Sequence, residues 1–114
     1  ERIAHPYLGV QIATLTPDMA KMNNEAPNSA IELPETDGVL VVRVLPNTPA
    51  ADAGLRRGDV ITKISGVRVK QADQLQTRVD EVKVGEFLNV TLRRGDRIQQ
   101  LSVKTADLSE QESA

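Results

Sequence analysis

The sequence of 114 residues contains no cysteine, one histidine and two aromatic residues, Tyr7 and Phe87. Without cysteine there is neither a disulfide nor a thiolate metal site, and one histidine alone does not make a transition-metal site. Two aromatic side chains are too few for the stacking platforms that bind single-stranded nucleic acid, and the formal net charge of -2 provides no basic surface for phosphates. We therefore expect no metal, no cofactor and no nucleic-acid partner.

The sequence also lacks the residues of a hydrolytic site. The one histidine, His5, precedes Pro6 near the start of the chain, where an exposed linker position is a better interpretation than a general base. None of the five serines lies in a Gly-x-Ser-x-Gly elbow, and there is no glycine-rich phosphate loop and no calcium loop. This chain is therefore not expected to be an enzyme by itself.

No apolar run approaches the roughly 20 residues that a helix needs to cross a bilayer. Hydrophobic residues make up 39% of the chain, which is enough for one modest core, and that core must be aliphatic. We expect one domain over residues 5–105. Residues 1–4 are interpreted as a linker from an upstream domain, and the polar, acidic residues 106–114 as a flexible tail.

Alternating and β-branched runs predict the strands. The run Val39–Leu45 is rich in β-branched valine and nearly all apolar, and it predicts a central strand that is buried on both faces. In the last strand the parity of Ile98 disagrees with that of Leu101 and Val103, which predicts a bulge near Gln99 and Gln100. The other predicted strands are Val10–Leu15, Val60–Ile64, Val67–Val69 and Leu88–Arg93, the last joined to its successor by a hairpin turn at Arg94–Asp96.

Capping residues and apolar spacing predict three helices. Thr16 and Pro17 begin the first helix, and Thr48 and Pro49 begin the second, which ends at Gly54. The third helix is predicted over residues 71–83, where apolar residues recur at steps of three, four and three. The apolar face of the first helix is predicted to contain Leu15, Met19, Ala20 and Met22, and that of the third Ala72, Leu75, Val79 and Val82.

Two further features are interpreted structurally. The segment 16–37 is an insertion of helix and loop. Its loop, residues 25–37, has an apolar anchor pair at Ile31 and Leu33 and is predicted to be the most mobile part of the domain. The triplets Arg57–Asp59 and Arg94–Asp96 both read Arg-Gly-Asp, and we interpret them as turns because glycine between polar residues is common turn chemistry.

Three motifs in this order carry a family resemblance: Tyr7-Leu8-Gly9-Val10, Pro49-Ala50-Ala51-Asp52-Ala53-Gly54-Leu55 and Arg57-Gly58-Asp59-Val60-Ile61. With them the chain resembles a PDZ domain, and more narrowly the PDZ domain that follows the catalytic domain in HtrA/Deg serine proteases of the cyanobacterial and plastid branch. The resemblance covers about residues 5–105. It implies an α+β, PDZ-like fold, a partly open antiparallel β-barrel or sandwich of five to six strands with two to three helices.

The resemblance also implies a binding site. In PDZ domains a loop binds a terminal carboxylate through backbone N–H groups, and the strand after it forms a groove with a facing helix. Leu75 and Val79 would form the pocket floor, although at least half of the apolar residues on that helix must simply be core. The insertion 16–37 is expected beside or over the groove. The peptide-binding residues carried over are Tyr7, Leu8, Gly9, Val10, Gln11, Ile12, Ala13, Ala72, Leu75, Gln76 and Val79.

The function implied is a peptide-binding module that recognises apolar C-termini or extended segments by β-strand addition. It would capture substrate or regulate an HtrA/Deg serine protease in protein quality control. Its partners would be C-terminal or unfolded segments, the upstream protease domain and neighbouring subunits, in the periplasm or thylakoid lumen. The alternatives are a stand-alone scaffold PDZ domain and the PDZ domain of another peptidase class, and the residues before Glu1 would distinguish them.

Overall fold

The computed structural model describes residues 6–27, 32–95 and 97–107. His5, Ile31, Asp96, the predicted linker and residues 108–114 of the predicted tail lie outside this range. None of the helices in the described part has the length and apolar composition needed to cross a membrane. The elements are β1 Pro6–Tyr7, β2 Val10–Leu15, α1 Pro17–Glu25, β3 Gly38–Val44, α2 Pro49–Ala53, β4 Val60–Ile64, β5 Val67–Arg68, α3 Ala72–Asp80, β6 Phe87–Arg94, β7 Arg97–Lys104 and β8 Ala106–Asp107.

The long strands form one antiparallel sheet in the order β2-β3-β4-β6-β7, with β5 paired to β4. The short strands β1 and β8 pair with each other, and this pairing extends the fold two residues into the segment that the sequence assigned to the tail. Strands β2 and β7 are therefore the two edges of the sheet as far as the structure describes it. The predicted α+β architecture of antiparallel strands and three helices is confirmed.

Side chains alternate between the two faces of the sheet. On one face Val39, Val41 and Ile61 lie in the main core, which α2 and α3 complete through residues such as Ala50 and Leu75. On the other face a second apolar cluster joins the sheet to α1 and the loop after it; its buried residues are Leu15, Ala20, Leu33 and Val60.

This second cluster places the insertion on the opposite face of the sheet from α3. Leu33 is buried there, and the side chain of Asn24 both accepts from the Leu33 N–H and donates to its carbonyl, each at 2.7 Å. The expectation that the insertion rests beside or over the groove is wrong. The segment packs on the sheet because its few apolar residues can cover Leu15 and Val60 there.

Three sequence predictions fail for the same reason, which is that an apolar residue stays exposed. Met19 and Met22 on α1 are 49% and 72% exposed, so that Ala20 is the buried residue of that helix. Strand β3 is buried in its first half, but Val42 and Arg43 are exposed where the pairing with β2 shifts by one residue. Apolar character alone does not place a residue in a core.

The third failure is the predicted bulge in β7. The pairing of β6 with β7 runs without a shift from Phe87 opposite Lys104 to Arg94 opposite Arg97. Val103 is buried and Leu101 packs against the core, whereas Ile98 is 71% exposed on the other face. Ile98 therefore breaks the alternation of buried residues because its side chain is exposed, and the strand contains no bulge there. The third helix is also shorter than predicted, Ala72–Asp80.

The two Arg-Gly-Asp triplets meet in one ion pair. Arg94 donates from Nε and Nη2 to the two carboxylate oxygens of Asp59, each at 2.8 Å, and Nη2 also reaches the Gly54 carbonyl at 2.9 Å. Asp59 is 1% exposed and accepts from the Arg56 N–H at 2.8 Å. The hydrogen bond to Asp59 raises the pKa of Arg94, against the opposing effect of burial. The pair joins the hairpin to the end of α2.

We predict that Arg94→Leu lowers the free energy of unfolding by about 3 kcal/mol, because it leaves the buried carboxylate of Asp59 without its cation. Arg93→Leu is the matched control, since the buried Nε of Arg93 has no hydrogen-bond partner, and it should change stability by less than about 1 kcal/mol. Urea denaturation followed by circular dichroism measures both. Equal midpoints for the two variants would contradict a stabilising role of the pair.

Candidate functional site

The outer edge of β2 is free of any strand within the described residues. The carbonyl of Gly9 accepts a hydrogen bond from the Leu45 N–H at 2.9 Å. This bond makes Val10 and Val44 a pair without mutual hydrogen bonds, so alternation turns the backbone groups of Val10, Ile12 and Thr14 toward the free edge. That edge can accept one more strand.

The loop before β2 is held close to α2. The Leu8 carbonyl accepts from the Ala50 N–H at 2.8 Å, and Thr48 caps α2 through its Oγ1, which accepts from the Ala51 N–H at 3.3 Å. Gly9 has a φ of +86°, and a Cβ at this position would overlap the side chain of Thr48. Only glycine satisfies both the positive φ and this close approach.

The amides of this loop have no acceptor among the described residues. Leu8 and Gly9 are both buried, yet no described residue accepts a hydrogen bond from either N–H. The N–H of Val10 faces the free edge. Buried backbone amides are nearly always paired, so neighbouring unpaired amides indicate a position for an acceptor, such as a carboxylate, that comes from outside.

Helix α3 lies beside this loop and strand. Leu75 and Val79 are buried in the main core, and Val10, Ile12 and Ala72 are half-buried against it. Gln76 is exposed on α3 and bonds the Asp80 carboxylate at 3.0 Å. The structure thus brings together Leu8, Gly9, Val10, Ile12, Ala72, Leu75 and Val79 of the predicted site.

Two predicted site residues lie elsewhere on β2. The side chains of Gln11 and Ala13 alternate with Val10 and Ile12 and share the face of Leu15, on the side of α1. Their backbone groups bond to β3. For Tyr7 the structure describes the backbone alone, which pairs with Ala106.

Sequence reasoning missed Thr14. Its Oγ1 accepts a hydrogen bond from the Ala72 N–H at 3.0 Å, which joins β2 to the first residue of α3 across the candidate groove. The position of Thr14 on the same face as Val10 and Ile12 was visible in the alternation of the strand. Its partner, 58 residues away along the chain, had no signal in the sequence.

Within the described ranges, no group of histidine, cysteine or carboxylate residues is arranged to hold a metal ion. The site offers backbone amides and apolar side chains, which suit binding and not bond cleavage. A free strand edge, unpaired loop amides and a neighbouring helix together define a receptor for an extended polypeptide.

The family model described as PDZ domain matches residues 6–105, and the chain belongs to this family. HhoA of Synechocystis sp., whose name describes a serine protease, is 47% identical over 106 residues, which is 93% of this chain and 27% of HhoA. Serine protease HTRA1B of Danio rerio is 38% identical over 90 residues, 79% of this chain and 18% of the relative. The domain is thus of the type found in HtrA/Deg serine proteases, and the chain spans about a quarter or less of the length of these relatives.

Solved structures agree on the fold. The HtrA3 PDZ domain bound to a phage-derived ligand superimposes with a TM-score of 0.70 at 23% identity, over 90% of this chain and 86% of that one. The HtrA-type protease AlgW with a decapeptide gives a TM-score of 0.73 at 23% identity, over 91% of this chain and 30% of AlgW. The PDZ-like fold predicted from the sequence is confirmed.

We predict that Gly9→Ala destabilises the domain by about 2 kcal/mol more than Gly66→Ala does. Both glycines have a positive φ, which costs a residue with a Cβ about 1 kcal/mol or more, but a Cβ at Gly66 meets nothing within 4 Å. The excess at Gly9 measures the overlap with Thr48. Thermal and urea unfolding give the comparison, and equal losses would show that the loop accommodates a Cβ at no extra cost.

Proposed function

We propose that this domain binds the free C-terminus of a polypeptide by adding it as a strand to β2. The observation that carries the proposal is that the amides of Leu8 and Gly9, which have no acceptor among the described residues, lie at the start of the edge of β2 that no described strand covers. A terminal carboxylate at the loop would accept from these amides. The residues before it would then run antiparallel to β2 and bond to the outward groups of Val10 and Ile12.

The side chains around this edge indicate which terminal residue fits. Val10, Ile12 and Ala72 are half-buried, and behind them Leu75 and Val79 form an apolar floor. A charged or amide side chain would lose its hydration there without gaining a partner. We therefore propose Val, Leu, Ile or Ala as the last residue of the ligand.

Moderate affinity follows from the size of this site. A few main-chain hydrogen bonds at about 1 kcal/mol each, and one buried aliphatic side chain at about 1.5 to 3 kcal/mol, must offset the ordering of the peptide. We expect a binding free energy on the order of -8 kcal/mol or weaker, which corresponds to a micromolar Kd or higher.

The ligands in the related structures support peptide binding. HtrA3 and AlgW, which share the fold, were each solved with a peptide ligand. Relatives of higher identity are named as serine proteases. We propose that the parent protein is a serine endopeptidase and that this domain captures substrate or relays regulation to it in protein quality control. These names favour the protease over a stand-alone scaffold.

The compartment is also a proposal. A relative from Rhizobium meliloti is named as periplasmic and one from Arabidopsis thaliana as chloroplastic. A periplasmic or thylakoid-lumen location fits both names.

The prediction for binding compares a peptide ending in Val with its C-terminal amide. Amidation removes the charged acceptor of the Leu8 and Gly9 amides, and hydrogen bonds to a charged group contribute about 1.5 to 3 kcal/mol, so affinity should fall at least about tenfold. Isothermal titration calorimetry measures both Kd values.

Two variants locate the binding. Ile12→Asp places a charge beside the apolar floor and should abolish measurable binding, whereas Met22→Asp, exposed on α1 and outside the groove, should leave Kd unchanged. Circular dichroism checks that both are folded. Binding at the β2 loop, measured from the amide shifts of Leu8 and Gly9, that survives amidation and Ile12→Asp would count against a carboxylate at this loop.

The role in the parent protein calls for a separate measurement. We predict that deleting this domain from the full-length protein, or adding an apolar C-terminal peptide to it, changes the rate of casein cleavage or the choice of substrate. The reason is that a groove occupied by peptide either delivers substrate or changes the contacts of the domain. If deletion alters neither rate, substrate choice nor assembly, the domain has no regulatory role.

A further inference from the structure

We propose that the opposite edge of the sheet carries a second strand-addition groove, between β7 and α2. Its ligand is an internal, extended segment of another polypeptide that places one apolar side chain in the groove. This site is separate from the β2–α3 groove and does not depend on the function proposed for it.

The backbone geometry leaves the edge of β7 open. The Asn89 carbonyl accepts from the Ser65 N–H at 2.8 Å, so Asn89 faces β4 and not β7. Asn89 lies opposite Ser102 in the β6–β7 register, and alternation therefore turns the N–H and C=O of Ser102, and likewise of Gln100, away from β6. No described residue pairs with these outward groups.

Helix α2 lies along this edge. Its C-terminal end is near the start of β7, because the Gly54 carbonyl accepts from Arg94 at 2.9 Å beside the hairpin. Between α2 and the far end of β7 is a cavity of about 560 Å³, a volume typical of ligand pockets. Its walls include Pro49, Asp52, Ala53, Phe87, Ser102 and Lys104.

An exposed aromatic side chain and the open stretch of a strand edge meet at this cavity. Phe87, the first residue of β6, is 67% exposed and lies opposite Lys104 in the register. Edge strands are usually protected by proline, a bulge, brevity, charged side chains or a covering helix. β7 has eight residues, no proline and a regular register, and its charged residues stand at its two ends, Arg97 and Lys104, so the middle of its edge between them is uncharged. The combination of free backbone groups and apolar surface fits a strand better than a small molecule.

The backbone of the adjoining turn excludes a free C-terminus as the preferred ligand. The Gly85 N–H donates to the Thr105 carbonyl at 3.0 Å, the Glu86 N–H to the Lys83 carbonyl at 3.0 Å, and the Lys83 N–H to the Glu86 side chain at 2.9 Å. These amides already have acceptors, unlike those of Leu8 and Gly9. With Asp52 and Lys104 balancing each other on the walls, the groove suits an uncharged internal segment.

The groove accommodates one extended chain and not a second copy of this domain. Because α2 lies alongside β7, a two-fold pairing of β7 with the β7 of another molecule would bring two α2 helices against each other. A single peptide strand needs no such space. Self-association through β7 is therefore an outcome that would overturn the proposal.

The experiment titrates the ¹⁵N-labelled domain with an equimolar mixture of four nine-residue peptides. Each alternates Thr and Val, carries Leu, Ile, Val or Phe at the centre, and is acetylated and amidated, so that no carboxylate is available to the β2 loop. The proposal expects amide shifts at Ala53, Ser102 and Lys104 that saturate. Shifts confined to β2 and α3, or no shifts, overturn it.

Variants of the strand test the mode of binding. Ser102→Pro removes one outward N–H while leaving the bonds to β6 in place, and Phe87→Glu removes the aromatic wall; each should raise Kd at least tenfold. Met22→Glu, exposed on α1 and outside both β7 and the cavity walls, is the control and should change Kd less than twofold.

Folding and self-association are checked on the same samples. If Ser102→Pro does not fold by circular dichroism, Phe87→Glu decides alone, because its side chain is exposed. Unchanged affinity in the folded variants overturns the groove. Analytical ultracentrifugation measures the oligomeric state without peptide. If the domain is a dimer and Phe87→Glu is a monomer, the edge binds a second copy of the domain and the peptide proposal is overturned.

Discussion

The contact between Gly9 and Thr48 joins the loop before β2 to the start of α2. Thr48 donates from Oγ1 to the Leu45 carbonyl at 2.7 Å and caps α2, and the backbone of Gly9 lies against its side chain with no space for a Cβ. The carbonyls of Leu8 and Gly9 bond to the chain on either side of Thr48. With both carbonyls held in this way, the N–H groups of the loop are left facing outward. The candidate carboxylate site is thus a consequence of how the loop is anchored.

The sheet keeps two edges because it does not close into a barrel. Strands β2 and β7 each have a helix beside them, α3 and α2, that covers the core where a further strand would otherwise be needed. Because a helix satisfies its own backbone bonds, it shields apolar side chains without pairing with the strand edge. Open edges beside helices are therefore built into this topology, and the side chains and turns at each edge decide what binds there.

Much of the fold was predictable where local chemistry decides it. Thr48, Pro49 and Gly54 placed α2 correctly, because a capping hydroxyl, a fixed φ and a left-handed glycine act within a few residues. The predictions that failed concerned apolar residues whose burial depends on distant partners. Met22 and Ile98 stay exposed because no element of the described structure covers them, and a sequence pattern contains no information about what lies opposite.

The candidate site also has a part that the sequence predicts and a part that it does not. The loop, the strand and the face of α3 that includes Leu75 and Val79 follow from motif and periodicity, and the structure brings them together. The bond from Ala72 to Thr14, and the difference between the two edges, could not be predicted, because they depend on which amides the tertiary structure leaves unpaired. Within the part of the chain that the structure describes, the loop amides before β2 lack acceptors, whereas the turn amides near β7 have them. Two edges of one sheet therefore differ in chemistry, and only the first is suited to a chain end.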